Sequence, residues 1–210
     1  MTLDPTEYIY DGTEKKPAVT VKDGNAVLVE GTDYTLAYTN NVNAGTAKVT
    51  ATGKGNYACT KTAEFTIKKA DVTMTAPEAK ANLVYNAQAQ ALVAAGTVQG
   101  GEMQYASDGE NFSTTLPTGT DAKEYTVYFK VVGDQNHNDV EAQNFKVTID
   151  KAALTAATLA KTSLVYNQQE QTALVASVSA GTLTVPEGSY EVTGNKGTNV
   201  GTYTATIHDA

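Results

Sequence analysis

The sequence predicts an all-β protein made of tandem copies of one small β-sandwich domain. A stretch of seven residues occurs three times, at 43–49, 121–127 and 199–205, and its starts lie 78 residues apart both times (121−43 and 199−121). A spacing this regular indicates tandem repeats. Trp is absent and only four Phe occur, whereas Tyr and Gly are plentiful. This composition suits short strands joined by tight turns.

The spacing divides the chain into three repeats, which cover residues 1–69, 70–151 and 152–210. The first two end alike, because Lys68-Lys69-Ala70 recurs as Asp150-Lys151-Ala152. They also share a final hairpin and strand, at 53–68 and 133–149, for which the third repeat shows no counterpart. We therefore expect the third repeat to lack its last strand and to carry an unpaired edge.

Alternating apolar and polar residues between Gly, Asn and Asp turns predict six or seven short strands in the first repeat. In chain order they centre on Tyr8–Tyr10, Val19–Val21, Val27–Val29, Tyr34–Tyr38, 43–52 and Phe65–Ile67. The later repeats follow this plan, with Leu83–Tyr85 and Leu164–Tyr166 as their first strands. The alanine-rich segments 87–95 and 152–160 align with strands of the first repeat, so they are predicted to be strands or loops.

The charge pattern excludes nucleic acid as a partner. The chain has 15 basic residues, all of them lysine, and a net charge of −8. Nucleic-acid binding needs a basic stripe, for which the arginine fork is best suited. Neither feature occurs in the sequence.

No apolar run approaches the roughly 18 residues of a membrane span. The start, Met1–Pro5, lacks the apolar segment of a signal peptide. Cys59 is the only cysteine, which rules out a disulfide within one chain. Because the third repeat stops partway, we expect the chain to be an excised segment that lacks the signal peptide and anchor of its parent.

The seven-residue stretch resembles the Asp-x-Gly-x-Tyr-x-Cys run of immunoglobulin-type domains. In those domains the tyrosine hydroxyl is tied back to the backbone, an arrangement called the tyrosine corner. Tyr125 and Tyr203 occupy the tyrosine position, and the first repeat has Ala47 there. Apolar residues fill the cysteine position: Val49, Val127 and Ala205. Packing would therefore replace the disulfide between the sheets.

A closer resemblance is to the tandem Ig-like repeats of bacterial cell-surface proteins known as MBG or YDG domains. It rests on turn motifs along the whole chain: Tyr10–Gly12, Glu30–Tyr34, Asn43–Thr46, Gly53–Tyr57 and Val132–Asn138. The resemblance implies an extracellular stalk or adhesin of many modules, without a shared active site. Some adhesin repeats of similar length are β-grasp units that contain a helix, and this fold is the alternative.

One segment has the oxygen-rich composition of a calcium loop. Its candidate ligands are Asp134, Asn136, Asn138 and Asp139. An EF-hand would need glycine in place of Asp139 and a bidentate acid in place of Phe145. The matching segment of the first repeat is a plain turn, so a hairpin turn is favoured over a metal site.

The tyrosines are candidates for carbohydrate recognition, since exposed aromatic rings serve as stacking platforms. Most of them fall at repeating core or corner positions. For Tyr105 and Tyr128 the alternation does not decide whether the side chain points to the core or to solvent. These two are the ligand-binding candidates. No nucleophile with a base, acid/base pair or metal cluster recurs in any repeat, so we expect neither an enzyme nor a cofactor.

Together these observations predict a structural spacer that projects a distal domain or forms an adhesive fibre on a bacterial surface. Short linkers without a Gly/Ser run, around Lys69-Ala70 and Lys151-Ala152, would make it semi-rigid. Its partners would be adjacent repeats of the same protein. The alternative is an adhesin module whose second repeat binds a glycan or a surface protein of a host or microbe.

Overall fold

A computed structural model describes residues 1–209 and shows an all-β fold. None of these residues is helical, so the helix of a β-grasp unit does not occur among them. In the same range no helix is long and apolar enough to cross a membrane. The alanine-rich segments contain short strands and loops, as predicted.

The fold divides into two compact units. One comprises residues 1–79, 93–117 and 126–145; the other comprises residues 80–92, 118–125 and the chain from residue 146 onward. The first repeat lies wholly in one unit and the third wholly in the other. The second repeat contributes residues to both.

The first repeat centres on a four-stranded sheet of order β2-β8-β7-β6, flanked by the pairs β1-β3 and β4-β5. Its strands are β1 Thr2–Asp4, β2 Glu7–Ile9, β3 Ala18–Thr20, β4 Lys22–Asp23, β5 Ala26–Val27, β6 Tyr34–Thr39, β7 Gly45–Gly53 and β8 Thr60–Lys68. Strand β2 runs parallel to β8, with Tyr8 opposite Ile67, while the other strands of this sheet are antiparallel. The strand predicted at Val27–Val29 is shorter than expected and ends at Val27.

The second repeat has a matching sheet of order β11-β18-β17-β15 and three flanking pairs, β9-β14, β10-β13 and β12-β16. Its strands are β9 Thr73–Thr75, β10 Glu78–Ala79, β11 Leu83–Val84, β12 Gln90–Ala91, β13 Val93–Ala94, β14 Thr97–Gln99, β15 Gly101–Ala106, β16 Thr118–Gly119, β17 Glu124–Gly133 and β18 Val140–Asp150. Strand β11 is parallel to β18, with Leu83 opposite Ile149. This parallel pair repeats the β2-β8 arrangement.

The third repeat contains a three-stranded sheet, β19-β21-β22, and the pairs β20-β24 and β23-β25. Its strands are β19 Ala156–Leu159, β20 Gln171–Thr172, β21 Val175–Ala180, β22 Leu183–Thr184, β23 Tyr190–Thr193, β24 Lys196–Gly197 and β25 Thr206–Asp209. The repeat predicts a strand from residue 199 onward, as at 43–52 in the first repeat, but the observed strand begins only at Thr206. Its counterparts β7 and β17 have neighbours on both sides, whereas β25 has β23 as its only neighbour among residues 1–209, and one-sided pairing stabilises a strand less.

Alternate residues of the long strands form the core. In the first repeat Ala47, Phe65 and Ile67 are buried together, and Leu3 and Tyr8 pack against them. The second repeat buries the matching faces of β17 and β18: Val127, Phe129, Val131, Val147 and Ile149. The alternation that predicted these strands therefore also identifies their inward faces.

The tyrosine of the repeated stretch is tied back to the backbone in both repeats that contain it. The hydroxyl of Tyr125 donates to the carbonyl oxygen of Asp121 at 2.9 Å and accepts from the Asp121 N–H at 2.9 Å. The hydroxyl of Tyr203 donates to the carbonyl oxygen of Asn199 at 3.0 Å. This is the hydroxyl-to-backbone bond that the resemblance implied for these two residues.

Candidate functional site

The hairpin between β17 and β18 is the candidate functional site, and residues 133–139 are called the junction loop below. Gly133 is required at its start, because a Cβ there would lie 2.3 Å from the carbonyl oxygen of His137. The Gly133 N–H donates to Asp139 Oδ1 at 2.8 Å, which closes the hairpin. The chain therefore folds back tightly and projects residues 134–138 from the end of the sheet.

Asp134 organises the loop from within. Its Oδ1 accepts a hydrogen bond from the Asn136 N–H at 2.7 Å and lies 2.7 Å from His137 Nδ1. The hydrogen bond to His137, followed by that from the Asn136 backbone, lowers the pKa of Asp134. The ionised carboxylate thus fixes the positions of Asn136 and His137, the two residues that reach outward.

Asn136 connects the junction loop to the repeated stretch of the first repeat. Its Oδ1 accepts from the Ala44 N–H at 2.9 Å, and its Nδ2 donates to Asn43 Oδ1 at 3.2 Å. One amide side chain therefore satisfies a donor and an acceptor on a segment more than ninety residues away. Such a two-point bond fixes orientation as well as distance.

The loop also pairs with the linker between the repeats. The Ala70 N–H donates to the Asn136 carbonyl oxygen at 2.9 Å, and the Asn138 N–H donates to the Ala70 carbonyl oxygen at 2.8 Å. Asn138 Nδ2 also donates to Asp71 Oδ1 at 2.9 Å. The linker backbone is thus bonded on both sides of Ala70, which opposes bending at this point.

His137 fills the space beside the linker. Its ring lies edge-on to that of Tyr10, with 5.4 Å between the centroids, a favourable geometry for aromatic pairs. On its other side is Gly100, where a Cβ would lie 2.5 Å from the His137 ring. The Gly100 carbonyl oxygen also accepts the Asp134 N–H at 2.9 Å. A glycine at this turn therefore makes room for the ring.

The oxygens predicted as calcium ligands are used in these contacts. Asp134 holds the loop, Asn136 and Asn138 bind the first repeat and the linker, and Asp139 caps Gly133. Across residues 1–209, no group of three or more His, Cys, Asp or Glu side chains is arranged to hold a metal ion. The geometry assigns these residues to holding the junction between repeats.

The two tyrosine candidates differ in placement. Tyr105 is 4% exposed, and its hydroxyl accepts from the Gly96 N–H at 3.1 Å, so its ring offers no stacking surface. Tyr128 is half-buried and packs beside Gly109. The structure does not bring the two rings together as one platform. Tyr105 lies opposite Phe129 in the β15-β17 pair, so the next residue, Tyr128, projects from the other face of the sheet.

The remaining reactive side chains lie apart. Cys59 is an exposed free thiol in the first repeat. His208 shares a hydrogen bond of 2.9 Å with Thr193 in the third repeat. Neither is near the junction loop in sequence, and neither has a catalytic partner among the contacts of residues 1–209.

The first-repeat and linker residues that contact the junction loop have counterparts at equivalent positions of the next repeat. An open cleft of about 380 Å³ is lined by their counterparts and by residues of the third repeat such as Ala180 and Leu183. The counterparts of Tyr10, Asn43, Ala44, Lys69 and Ala70 in this cleft are, in the same order, Tyr85, Asp121, Ala122, Lys151 and Ala152. The acceptor side of the junction is therefore a repeated feature.

Sequence reasoning identified the junction loop as a turn and missed what it binds. The available signal was the pair Asn136 and Asn138, whose amides can each donate and accept, in a hairpin at the end of a repeat. The matching hairpin of the first repeat has Asn56 and Ala58 at these positions, and both are exposed. No protein-family model matches the chain, and no curated protein or solved structure gives a match either.

Proposed function

We propose that this chain is a non-catalytic spacer of tandem Ig-like sandwich repeats from a bacterial cell-surface or secreted protein. The junction loop is the observation that carries the proposal. It bonds to the first repeat through Asn136, to the linker through Asn138, and to Tyr10 through His137. A spacer needs its modules held in a defined orientation, and these contacts around Ala70 supply that between the first two repeats.

The composition of the linker supports the same function. A flexible tether consists of Gly and Ser and leaves its backbone free. Here Lys69 donates through Nζ to the Asp134 carbonyl oxygen at 3.1 Å, and Ala70 is bonded through both its N–H and its carbonyl. These residues take part in the fold of the junction, so the linker transmits orientation from one module to the next.

The alternative, an adhesin site on the second repeat, receives no support from the tyrosine geometry. A stacking platform needs an exposed ring, and the Tyr105 ring is buried. A glycan array probed with the intact protein, with Tyr128→Ala as the comparison, would revive this function if a specific signal disappeared in the variant.

The spacer function is tested by residual dipolar couplings measured on the full chain. If the junction is rigid, amides of strands β7 and β17 report one common alignment tensor. Asn136→Ala combined with His137→Ala should separate the two tensors. Asn56→Ala is the matched control in the first repeat and should leave them unchanged. Independent tensors in the unaltered protein would contradict the proposal.

A further inference from the structure

In the first two repeats the first strand of the main sheet is paired with the last strand of the same repeat. Tyr8 lies opposite Ile67 in the parallel pair β2-β8, and Leu83 lies opposite Ile149 in β11-β18. The pairing continues one step further, since the N–H of Tyr10 and that of Tyr85 each donate to a carbonyl of the last strand at 2.9 Å.

The corresponding segment of the third repeat, Leu164–Tyr166, is not paired with a strand in this way among residues 1–209. Within residues 1–209, no strand pairs with Leu164–Tyr166, and β25 pairs only with β23. Leu164 is 44% exposed and Tyr166 is 53% exposed, although their counterparts in the first two repeats are half-buried. Tyr203 is also 50% exposed, in contrast to the half-buried Tyr125.

These exposed residues line one open cleft. It has a volume of about 370 Å³, and Leu159, Leu164, Tyr166 and Tyr203 are among its walls. A strand needs two edges. Leu164–Tyr166, at the cleft, offers one for parallel pairing, and β25, which begins three residues after the cleft residue Tyr203, offers the other for antiparallel pairing. We propose that the third repeat is an acceptor for a β-strand, inserted between Leu164–Tyr166 and β25.

The strands β8 and β18 show which chemistry fits. Each carries apolar residues at alternate positions, and the inward ones are almost fully buried: Phe65 at 2%, Ile67 at 1%, Val147 at 3% and Ile149 at 1%. Residues between them face outward and are polar. With Ile67 and Ile149 in equivalent register, the occupant is an extended segment of the form Ala/Phe-x-Phe/Val-x-Ile, whose apolar side chains enter the cleft while its backbone satisfies both edges.

The cleft of about 380 Å³ beside Tyr85 and Asp121 indicates which segment comes before that strand in the occupant. Its walls are the counterparts of the residues that bind the junction loop. The Ala122 N–H and the Asp121 side chain stand where Ala44 and Asn43 bind Asn136. The occupant thus begins with an asparagine-bearing hairpin like residues 133–139 and continues into the strand. This inference does not depend on the spacer function.

The test uses the full chain and a synthetic peptide with the sequence of residues 133–150. The peptide should bind with a chemical-shift footprint on Leu164–Tyr166 and Ile207, and it should slow amide exchange there. A control peptide of identical composition exchanges Phe145 with Lys146 and Val147 with Thr148, which turns those apolar side chains to the other face. It should bind at least about tenfold more weakly.

Two protein variants provide the matched control on the acceptor side. Leu164→Lys puts a charge on the half-covered inward face and should weaken binding at least about tenfold. Val165→Lys changes a neighbour that is already 87% exposed and should leave binding unchanged. Because a free peptide can be poorly soluble, the same segment is also fused after residue 210, where it should protect the same amides.

Three results would overturn the proposal. The two peptides could bind equally well, or the footprint could fall on Leu83 and Val84, which would mean exchange with β18. Alternatively, neither the free peptide nor the fused segment could protect Leu164–Tyr166. The last result would show that these edges do not accept a strand.

Discussion

The first and second repeats build the same corner from opposite choices of large and small residue. In the second, the Tyr125 ring lies against Gly119, where a Cβ would come within 2.6 Å of the ring. In the first, the positions 78 residues earlier hold Asn41 and Ala47. Asn41 is buried and its Nδ2 donates to the Lys15 carbonyl oxygen at 3.1 Å. The glycine and tyrosine of the second repeat thus correspond to a buried asparagine and a buried alanine in the first.

The hairpins of the two repeats differ in a similar way. Both begin with a glycine. A Cβ at that position would collide with the backbone of the residue four positions later, which is Tyr57 for Gly53 and His137 for Gly133. Among residues 1–209, only the second hairpin contacts a preceding repeat. Asn136 bonds to Ala44 and Asn43, and the Asp134 carbonyl oxygen accepts from Lys69. One backbone thus serves as an exposed turn in one repeat and as a junction in the next.

The largest effect is expected from Ala47→Tyr, which gives the first repeat the tyrosine of the second. Ala47 has no exposed surface, and in the second repeat the corresponding ring is accommodated by a glycine, so the change should destabilise the protein by about 3 kcal/mol. Adding Asn41→Gly should recover part of that loss. Urea unfolding of the single and double variants measures the coupling. A double variant that is no more stable than Ala47→Tyr would contradict the idea that a glycine at position 41 makes room for a ring at position 47.

The next effect is that of Gly119→Ala in the second repeat. The added methyl group meets the ring of Tyr125, whose position is fixed by its bonds to Asp121, so a loss of about 2 kcal/mol is expected. The same change made in Tyr125→Ala should cost much less, since the ring is gone. Equal costs in the two backgrounds, measured by urea unfolding, would show that the ring is not what the methyl group meets.

A smaller effect is expected from removing the corner hydroxyl alone. Tyr125→Phe loses the bonds to the Asp121 backbone and should cost about 1 kcal/mol. Tyr203→Phe should cost less, because Tyr203 is half exposed and water replaces its partner. Thermal unfolding of both variants checks the order. A larger loss for Tyr203→Phe would contradict the comparison.

The smallest effect concerns pH at the junction loop. His137 and the Asn136 backbone lower the pKa of Asp134 in the folded protein, so its ionised form stabilises the fold. That contribution is fully present above the ordinary aspartate pKa and is lost as the pH falls through the lowered one. The stability difference from Asp134→Asn should therefore be larger at neutral pH than below about pH 4. A stability difference that does not change with pH would show that the charge of the Asp134 carboxylate does not stabilise the fold.

Local patterns predicted what depends on neighbours in sequence. The all-β fold and the strands around Tyr34–Tyr38 and Phe65–Ile67 follow from alternation and turn residues. The junction depends instead on Asn136 meeting Ala44, a contact across more than ninety residues that no local pattern contains.

The burial of Tyr105 was equally hidden from the sequence. It lies in β15, where Tyr105 and Ala106 are both buried, so the alternation breaks at that point. The Asn41/Ala47 exchange was missed for a related reason. Each residue is ordinary by itself, and only the contact between the Tyr125 ring and the position of Gly119 links the two equivalent positions.

The most direct test of the junction is amide hydrogen exchange at Ala44 and Ala70 in the full chain. Both N–H groups donate to the junction loop, at 2.9 Å each. If the loop holds the first repeat and the linker together, the two amides exchange as slowly as those of β7, and Asn136→Ala accelerates Ala44. If both exchange as fast as the exposed turn amide of Gly55 in the unaltered protein, the junction is open in solution and the account of a coupled spacer is wrong.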